Sequence, residues 1–542
     1  MSNNFTQYPS RVIRSSEDFS NNITAWDALL EEYNQALEQV SSQGTNASIK
    51  KHLERGQLLA RNRVALLLDE DSPFLEICPF AGYQNEDSTT AASLVTGIGL
   101  VNNVPTMILA HIPSINGGAW NEITVRKQNR ITAIATQNSL PIVALVQSAG
   151  VFLPLQFRVF HIGGHIFRDL ARRTMEGHAS CAVVFGSSTA GGAYHPALSD
   201  HSIFVKNHAR VFLGAPPLVK MATGEVVDAE DLGGAEMHAS VTGLADQLAT
   251  DEFDAIRKAR EWILTTEAAQ RVGRNSQPQA TPSPPKYDPE ELLGIINPDI
   301  RAPMDMMEIL LRLVDDSRLE LFKPTFGTAM ITTYAHIHGH LCGILANQRP
   351  IINPAESDKS TQFIHLCNQS RIPIIFLHNV TGFMVGLSTE RAGLIKKGAR
   401  FVSAVSTSSV PHISIICGAS YGAGNYAMCG RSFKPRFLFA WPSAKCSAMG
   451  AEQLTGVMES ITRESARKAG RKIDERDIQP VLRKLREGVE KDSGCYKLSS
   501  YLHDDGIIDP RDTREVLGMC LEVVKNREPV KGAAGMEHLA RL

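Results

Sequence analysis

Apolar and polar positions alternate along this chain in two distinct ways. In TAWDALLEEYNQALEQV, Thr24 to Val40, apolar residues recur at 3.6 spacing, and KKHLERGQLLARNRVALLLD follows, so residues 23 to 70 are predicted helical. Further on, short apolar runs rich in β-branched residues are cut by Pro or Gly. One is Pro141 to Val146 in PIVALVQSAGVFLP, predicted as a buried strand. It breaks into Gln147-Ser148-Ala149-Gly150, small and polar, at the strand end where ligands usually meet a parallel sheet. That end carries no acid, base or metal ligand. NSQPQATPSPPK, Asn275 to Lys286, is too rich in Pro, Ser and Gln for a packed element and is predicted to be a linker.

The pattern repeats on either side of that linker. SLPIVALVQSAGVF matches RIPIIFLHNVTGFM, with Pro141 against Pro373 and Gly150 against Gly382, each 232 positions apart (373 − 141; 382 − 150). GSSTAGGAY matches GASYGAGNY at the same offset (418 − 186), aligning Ser188 with Ser420, Gly192 with Gly424 and Tyr194 with Tyr426. Each copy reads as strand, Gly-rich turn, helix, strand, Gly-rich turn. The expectation is two layered α/β domains of one architecture. The predicted organisation is a helical leader over 1–70, a first domain over 71–274, a linker over 275–286 and a second domain over 287–542.

Composition narrows the function classes. With 55 basic and 57 acidic residues in 542, no global field attracts nucleic acid or an acidic membrane. No apolar run is long enough to span a bilayer and no signal peptide is evident, so the protein is expected to be soluble. The nine cysteines lie in apolar segments without a C-x-x-C pair and are read as buried reduced thiols. His336, His338 and His340 alternate at strand spacing and would share one strand face, but no carboxylate neighbours them, so no metal site is expected.

The glycine turns carry the candidate chemistry. Glycine permits φ > 0 and close backbone approach, and a helix starting just after such a turn aims unpaired N–H groups outward, at a negative oxygen. A rival motif is GASYG, Gly418 to Gly422, which matches the G-x-S-x-G elbow of serine hydrolases and would make Ser420 a nucleophile. The motif needs a later histidine, and only His503 and His538 follow. The matched GSSTA keeps the serine and loses the last glycine, which favours Ser188 and Ser420 as turn residues.

With both pairs of turns in view, the chain resembles the carboxyltransferase β subunits of biotin-dependent acyl-CoA carboxylases, most closely the 3-methylcrotonyl-CoA and geranyl-CoA branch. The likeness is carried by HLERGQLLARNRVALLLDEDSPFLE, FLGAPPLVKMATGEVV, NVTGFMVG, YGAGNYAMCGRSFKPRFLFAWPSAKCSAMG and HDDGIIDPRDTREVLG. It implies an α/β fold of two crotonase-like (ClpP/crotonase) domains built from ββα units. It also implies acyl-CoA bound by the first half and carboxybiotin received by the second. Residue by residue, the thioester oxyanion hole falls at Gly150 and Val151 and the hole for the biotin ureido oxygen at Ala423 and Gly424. Gly118, Ser148, Phe152, Gly191, Gly192 and Phe383 are the implied substrate-binding residues. No side-chain base is implied: carboxybiotin releases CO₂, the biotin enolate takes the substrate proton, and the carbanion attacks CO₂.

No Met-Lys-Met biotin attachment motif is present, so biotin is expected on a separate biotin carboxylase/biotin carboxyl carrier subunit. The resemblance further implies a homo-oligomer, typically a hexamer, with each site between the first half of one chain and the second half of its neighbour. A cytoplasmic protein of bacterial type is expected, with the mitochondrial matrix as the alternative. The chain departs from the family at the first hole, where Asp-Ser-Gly-Gly-Ala is usual and Gln147-Ser148-Ala149-Gly150-Val151 stands here. Ala149 would be strained if that position needs φ > 0. Asn121-Glu122 and NPAESDKSTQFI also depart. Two alternatives stay open: a biotin-independent hydrolase, decarboxylase or cyclase of CoA thioesters, and a non-catalytic scaffold subunit.

Overall fold

The computed structural model describes residues 4–86, 88–275, 280–470 and 475–525. They form two compact units, each built on an eight-stranded sheet. One comprises the described residues within Gln35–Gln277, Ser500–Leu502 and Val523–Leu542; the other comprises the described residues within Met1–Asn34, Pro278–Ser499 and His503–Glu522. The predicted leader is therefore not one piece. Its helices are Glu17–Ser41, Asn46–Leu53 and Ala60–Leu67, and the stretch up to Asn34 belongs with the second half of the chain. Burial explains this: Trp26 is wholly enclosed there and its Nε1–H donates to the Ile296 carbonyl at 2.7 Å, while Asn22 Nδ2 donates to the Gly294 carbonyl at 2.9 Å. Of the predicted linker, residues 276–279 lie outside the described residues. The part that follows is packed: Ala280 is buried and its N–H donates to Gly339, the Ser283 carbonyl accepts from Arg514, and the Lys286 N–H donates to Ser317 Oγ.

The two sheets share a plan. In the first-half unit an antiparallel hairpin, Leu94–Val101 with Val104–His111, turns at Asn102 and Asn103, both at positive φ as a two-residue hairpin turn requires. Val104–His111 then pairs parallel with Ile142–Ser148, which pairs with Ser180–Thr189, which pairs with His201–Val205. In the second-half unit the hairpin is Met330–Ile337 with His340–Asn347, and the parallel series continues through Ile374–Val380, His412–Tyr421 and Phe437–Ala440. This hairpin overturns the single histidine face. His338 sits in the turn at φ 48°, before Gly339, and His336 and His340 lie on opposite strands. His338 and His340 meet Glu515 and Glu522, at 3.0 and 3.1 Å, so carboxylates distant in sequence are their neighbours.

Helices pack on these sheets and enclose apolar cores in each unit. Val143 and Leu145 join Ile108, Val183 and Phe185 in the first, and Ile374 and Phe376 join Leu345, Phe363 and Phe401 in the second. The repeat extends to single hydrogen bonds. Leu140 N–H donates to the Ala135 carbonyl as Ile372 N–H does to Cys367, and Ile142 N–H to Ala179 as Ile374 N–H to Pro411. Helices Glu122–Gln137 and Pro354–Ser370 both start in capping boxes, on Asn121 and Asn353, so the unusual residues at both places are helix caps. Lys127 and Lys359, 232 apart, are both buried (359 − 127). Lys127 Nζ donates to the Ala91 and Leu94 carbonyls, and Lys359 Nζ to those of Gly327 and Met330.

Candidate active site

In the first-half unit, strand Ile142–Ser148 loses register beyond Val146, and Ser148 pairs with Ser188. The chain beyond it is held by Trp120 and its neighbours. Ala149 N–H donates to the Gly117 carbonyl, Trp120 N–H to Gly150, and Phe152 N–H to Trp120, at 3.0, 2.8 and 2.8 Å. Gly150 takes the left-handed conformation, φ 84°, and a Cβ there would lie 2.8 Å from the Thr189 carbonyl. Ala149 keeps an ordinary negative φ, so the feared strain is absent and the glycine requirement sits one residue later. Gly118 is equally constrained, since a Cβ would meet the Gln147 carbonyl at 2.3 Å. Ser148 Oγ donates to the Gly118 carbonyl at 2.8 Å and accepts the Gly150 N–H at 3.1 Å. Gly150's amide is thus committed internally. The Val151 amide has no acceptor among the described residues.

The second turn of this unit, Ala190–Ala193, lies against the first. A Cβ on Gly192 would stand 3.2 Å from Ser188 Oγ and 3.6 Å from Ser148 Cβ, and one on Gly191 would stand 3.6 Å from both Trp120 and Phe167. Gly118, Ser148, Gly150, Val151, Phe152, Gly191 and Gly192 are therefore gathered at one end of the parallel strands. An N–H at the start of such a helical turn has no intrahelical acceptor and is free for a ligand.

The second-half unit repeats the arrangement. Register again shifts at the strand end, between His378 and Val380, and Val380 pairs with Ser420. Thr381 N–H donates to Pro350 and Met384 N–H to Ile352, the counterparts of the bonds made by Ala149 and Phe152. Gly382, at φ 149°, faces open space where a Cβ would stand, while Phe383 packs toward Gly398. Helix Gly422–Ala427 starts without a side-chain cap, which leaves the amides of Gly422, Ala423 and Gly424 in its first turn. Gly424 closes on the strand-end turn: a Cβ would lie 2.7 Å from Val380 Cγ2 and 3.2 Å from Gly382 Cα. Ala423, Gly424 and the strand-end segment of Phe383 are thus adjacent.

Ser420 does have a histidine in reach. His378 Nδ1 lies 3.0 Å from Ser420 Oγ, supplied by the preceding strand and not by a later histidine. Both side chains are fully buried, at 0 % exposure, so the elbow motif offers no nucleophile to a substrate. Two further polar groups escaped the sequence reading. Arg63, 1 % exposed, forms a bidentate pair with Glu252 and a third bond to Gln147 Oε1, while Gln147 Nε2 donates to Gln57 Oε1. His111 Nε2 accepts the Trp120 indole N–H at 3.0 Å, and burial pushes the His111 pKa down to about 3, which keeps it a neutral acceptor. Arg63 and Glu252 are far apart in sequence, while His111 and Trp120 lie on neighbouring segments whose contact no spacing rule gives.

Comparison with known proteins bears on the family of the chain as a whole. The carboxyl transferase domain family matches residues 51–533. A Mycobacterium tuberculosis protein described as a probable biotin-dependent acyl-coenzyme A carboxylase beta2 subunit is 48% identical over 509 residues, covering 93% of this chain and 94% of that one. The mitochondrial methylcrotonoyl-CoA carboxylase beta chain of Arabidopsis thaliana is 40% identical, covering 96% and 89%. The crystal structure of the P. aeruginosa geranyl-CoA carboxylase beta subunit superposes with a TM-score of 0.91 at 37% identity, covering 99% of this chain and 100% of that one. A family match over most of the chain, relatives matched nearly end to end and a shared two-sheet fold make this chain a member of the carboxyl transferase family, an enzyme of the acyl-CoA carboxylase β-subunit kind.

Proposed function

We propose that this β subunit carboxylates a branched or unsaturated acyl-CoA of the methylcrotonyl-CoA or geranyl-CoA type, at the α or vinylogous γ carbon. The substrate class rests on the relatives named above; the site assignment rests on the uncommitted Val151 amide at the end of a strand held by Trp120. A thioester proton becomes removable when the developing enolate oxygen is stabilised, and fixed backbone donors do this without reorganisation. In this reading Val151 N–H and an amide of the Gly191–Gly192 turn hold the thioester oxygen. Gly150 shapes the turn, because its own N–H is taken by Ser148. Gly118 and Ser148 brace the strand end from behind, and Phe152 continues the rail on which Val151 is carried.

The second-half unit has the donors that a biotin ureido oxygen needs, in the amides of Ala423 and Gly424, with open ground in front of Gly382 and Gly386. Biotin, borne by a separate carrier subunit, supplies the activated carboxyl group when bound there. Phe383 follows Gly382 and anchors this segment by packing toward Gly398. Nine unpaired cysteines, eight of them buried, support a reducing compartment, the cytoplasm or a mitochondrial matrix. Assembly into a homo-oligomer, as a hexamer, belongs to the same proposal.

The deciding experiment compares two substitutions at Val151. Val151→Ala keeps the amide and is expected to hold turnover near wild type with a broader acyl range. Val151→Pro deletes the N–H without breaking a ladder bond and is expected to lower kcat by about 100-fold. Circular dichroism and oligomer mass check that the proline variant folds. A folded Val151→Pro protein with wild-type turnover would show that this strand end is only packing.

A further inference from the structure

The two repeats treat their matched serines differently. Ser188 Oγ donates to the Gly192 carbonyl at 2.8 Å and so closes its own turn. Ser420 Oγ instead accepts from Asn425 Nδ2 at 2.9 Å and lies 3.0 Å from His378 Nδ1. The position matching His378 is Val146, 232 residues earlier (378 − 146), so the first repeat has no group able to bind its serine in this way. His378 lies on strand Ile374–Val380, which runs into Gly382; Asn425 lies in the helix that presents Ala423 and Gly424. The serine hydroxyl joins the two.

We infer that His378 is a positioning residue for carboxyl transfer: through Ser420 and Asn425 it fixes the Gly422–Gly424 amides relative to the strand-end turn at Val380–Gly382. This rests on the assignment of that turn to the biotin side. With Asn425 donating to the hydroxyl oxygen, the Ser420 proton is directed to Nδ1, which must be unprotonated. Burial pushes the His378 pKa down to about 3 and keeps the ring neutral, and the proposed tautomer carries its one proton on Nε2. In that tautomer the hydrogen-bonded chain runs from Asn425 through Ser420 to His378. Val380 and Gly382 lie within 2.7 and 3.2 Å of where a Gly424 Cβ would stand, so little slack separates the two turns, and a small shift of either moves the donors off a bound oxygen.

The test uses the full chain with the carboxylated product of methylcrotonyl-CoA as donor and free biotin as acceptor, beside hydrogen–deuterium exchange. His378→Val, which imitates the first repeat, is expected to lower kcat with biotin by about tenfold or more while acyl-CoA affinity stays within about twofold. The peptide covering Gly422–Ala427 should exchange at least about threefold faster, and the one covering Gly191–Ala193 should not change. His378→Gln, which offers an acceptor again, should recover most of both effects. Should His378→Val fold poorly, Ser420→Ala must give the same exchange signature in a folded protein. Unchanged exchange, or changed exchange with wild-type turnover, overturns the role of His378. Gly424→Val separates this from the underlying assignment: if it too leaves transfer to biotin intact, the turn is not the biotin side at all. If it abolishes transfer while His378→Val does not, only the positioning role is lost.

Discussion

Gln147 is fitted to its neighbours as a neutral amide, which both accepts and donates. A carboxylate at this position would face Arg63, but that guanidinium is already neutralised by Glu252 through two bonds of 2.7 Å. A neutral amide suits what remains, accepting from Arg63 at 3.0 Å and donating to Gln57 at 3.1 Å. A carboxylate would put a second negative charge on one buried cation and would leave Gln57 Oε1 facing an acceptor. Gln147→Glu, nearly the same shape, is therefore expected to destabilise the protein by about 1–3 kcal/mol, the usual cost of a buried polar group left unsatisfied. Urea denaturation would read this as a lower midpoint with unchanged slope. An unchanged midpoint would mean that Arg63 carries less of its charge balance on Glu252 than the geometry indicates.

Among the elements, the matched lysines pin each hairpin to the helix that follows it. Lys127→Met would leave the Ala91 and Leu94 carbonyls without their shared donor, at an expected cost of about 1–3 kcal/mol. Burial holds the Lys127 pKa down at about 8, against about 10.4 for an unfolded lysine. Between those values the unfolded chain binds more protons than the folded one, so this group's contribution to stability rises with pH and is lost as pH falls through about 8. The gap between wild type and Lys127→Met in denaturation midpoint should accordingly be wider at about pH 9.5 than at about pH 7. A gap independent of pH would place the lysine charge outside the folding equilibrium. The repeat that contains these pins was legible in the sequence, because Pro141 and Pro373 and the glycine turns are dictated by local backbone geometry. The glycine requirement was legible too, though not its position: φ at Ala149 and Gly150 depends on how Ser148 and Thr189 close around the turn. His378 with Ser420, Arg63 with Glu252, and Trp26 with Ile296 were not legible, since each pair is brought together by strand order and not by spacing. The histidine hairpin lay between. Gly339 after His338 was a turn signal, outweighed by strand alternation.

On the scale of the whole molecule, large apolar side chains stand exposed beside each pair of turns. In the first-half unit Phe157 and Phe160, 85 % and 75 % exposed, project from helix Gln156–Met175 just beyond Val151. In the second-half unit Val385 is 78 % exposed and Leu387 and Ile395 are exposed near it, just beyond Phe383. Burying aromatic side chains of this size contributes about 1.5–3 kcal/mol each, so surfaces of this kind favour association. A homo-oligomer that uses the first of them would be broken by charge. Phe157→Asp with Phe160→Asp should lower the mass in light scattering at about 1 µM and abolish carboxyl transfer, because desolvating two carboxylates in an apolar contact is costly. Circular dichroism should stay at wild type, since neither phenylalanine is in its own unit's core. If mass and activity both persisted, this helix would face solvent in the assembly and the copies would have to meet elsewhere.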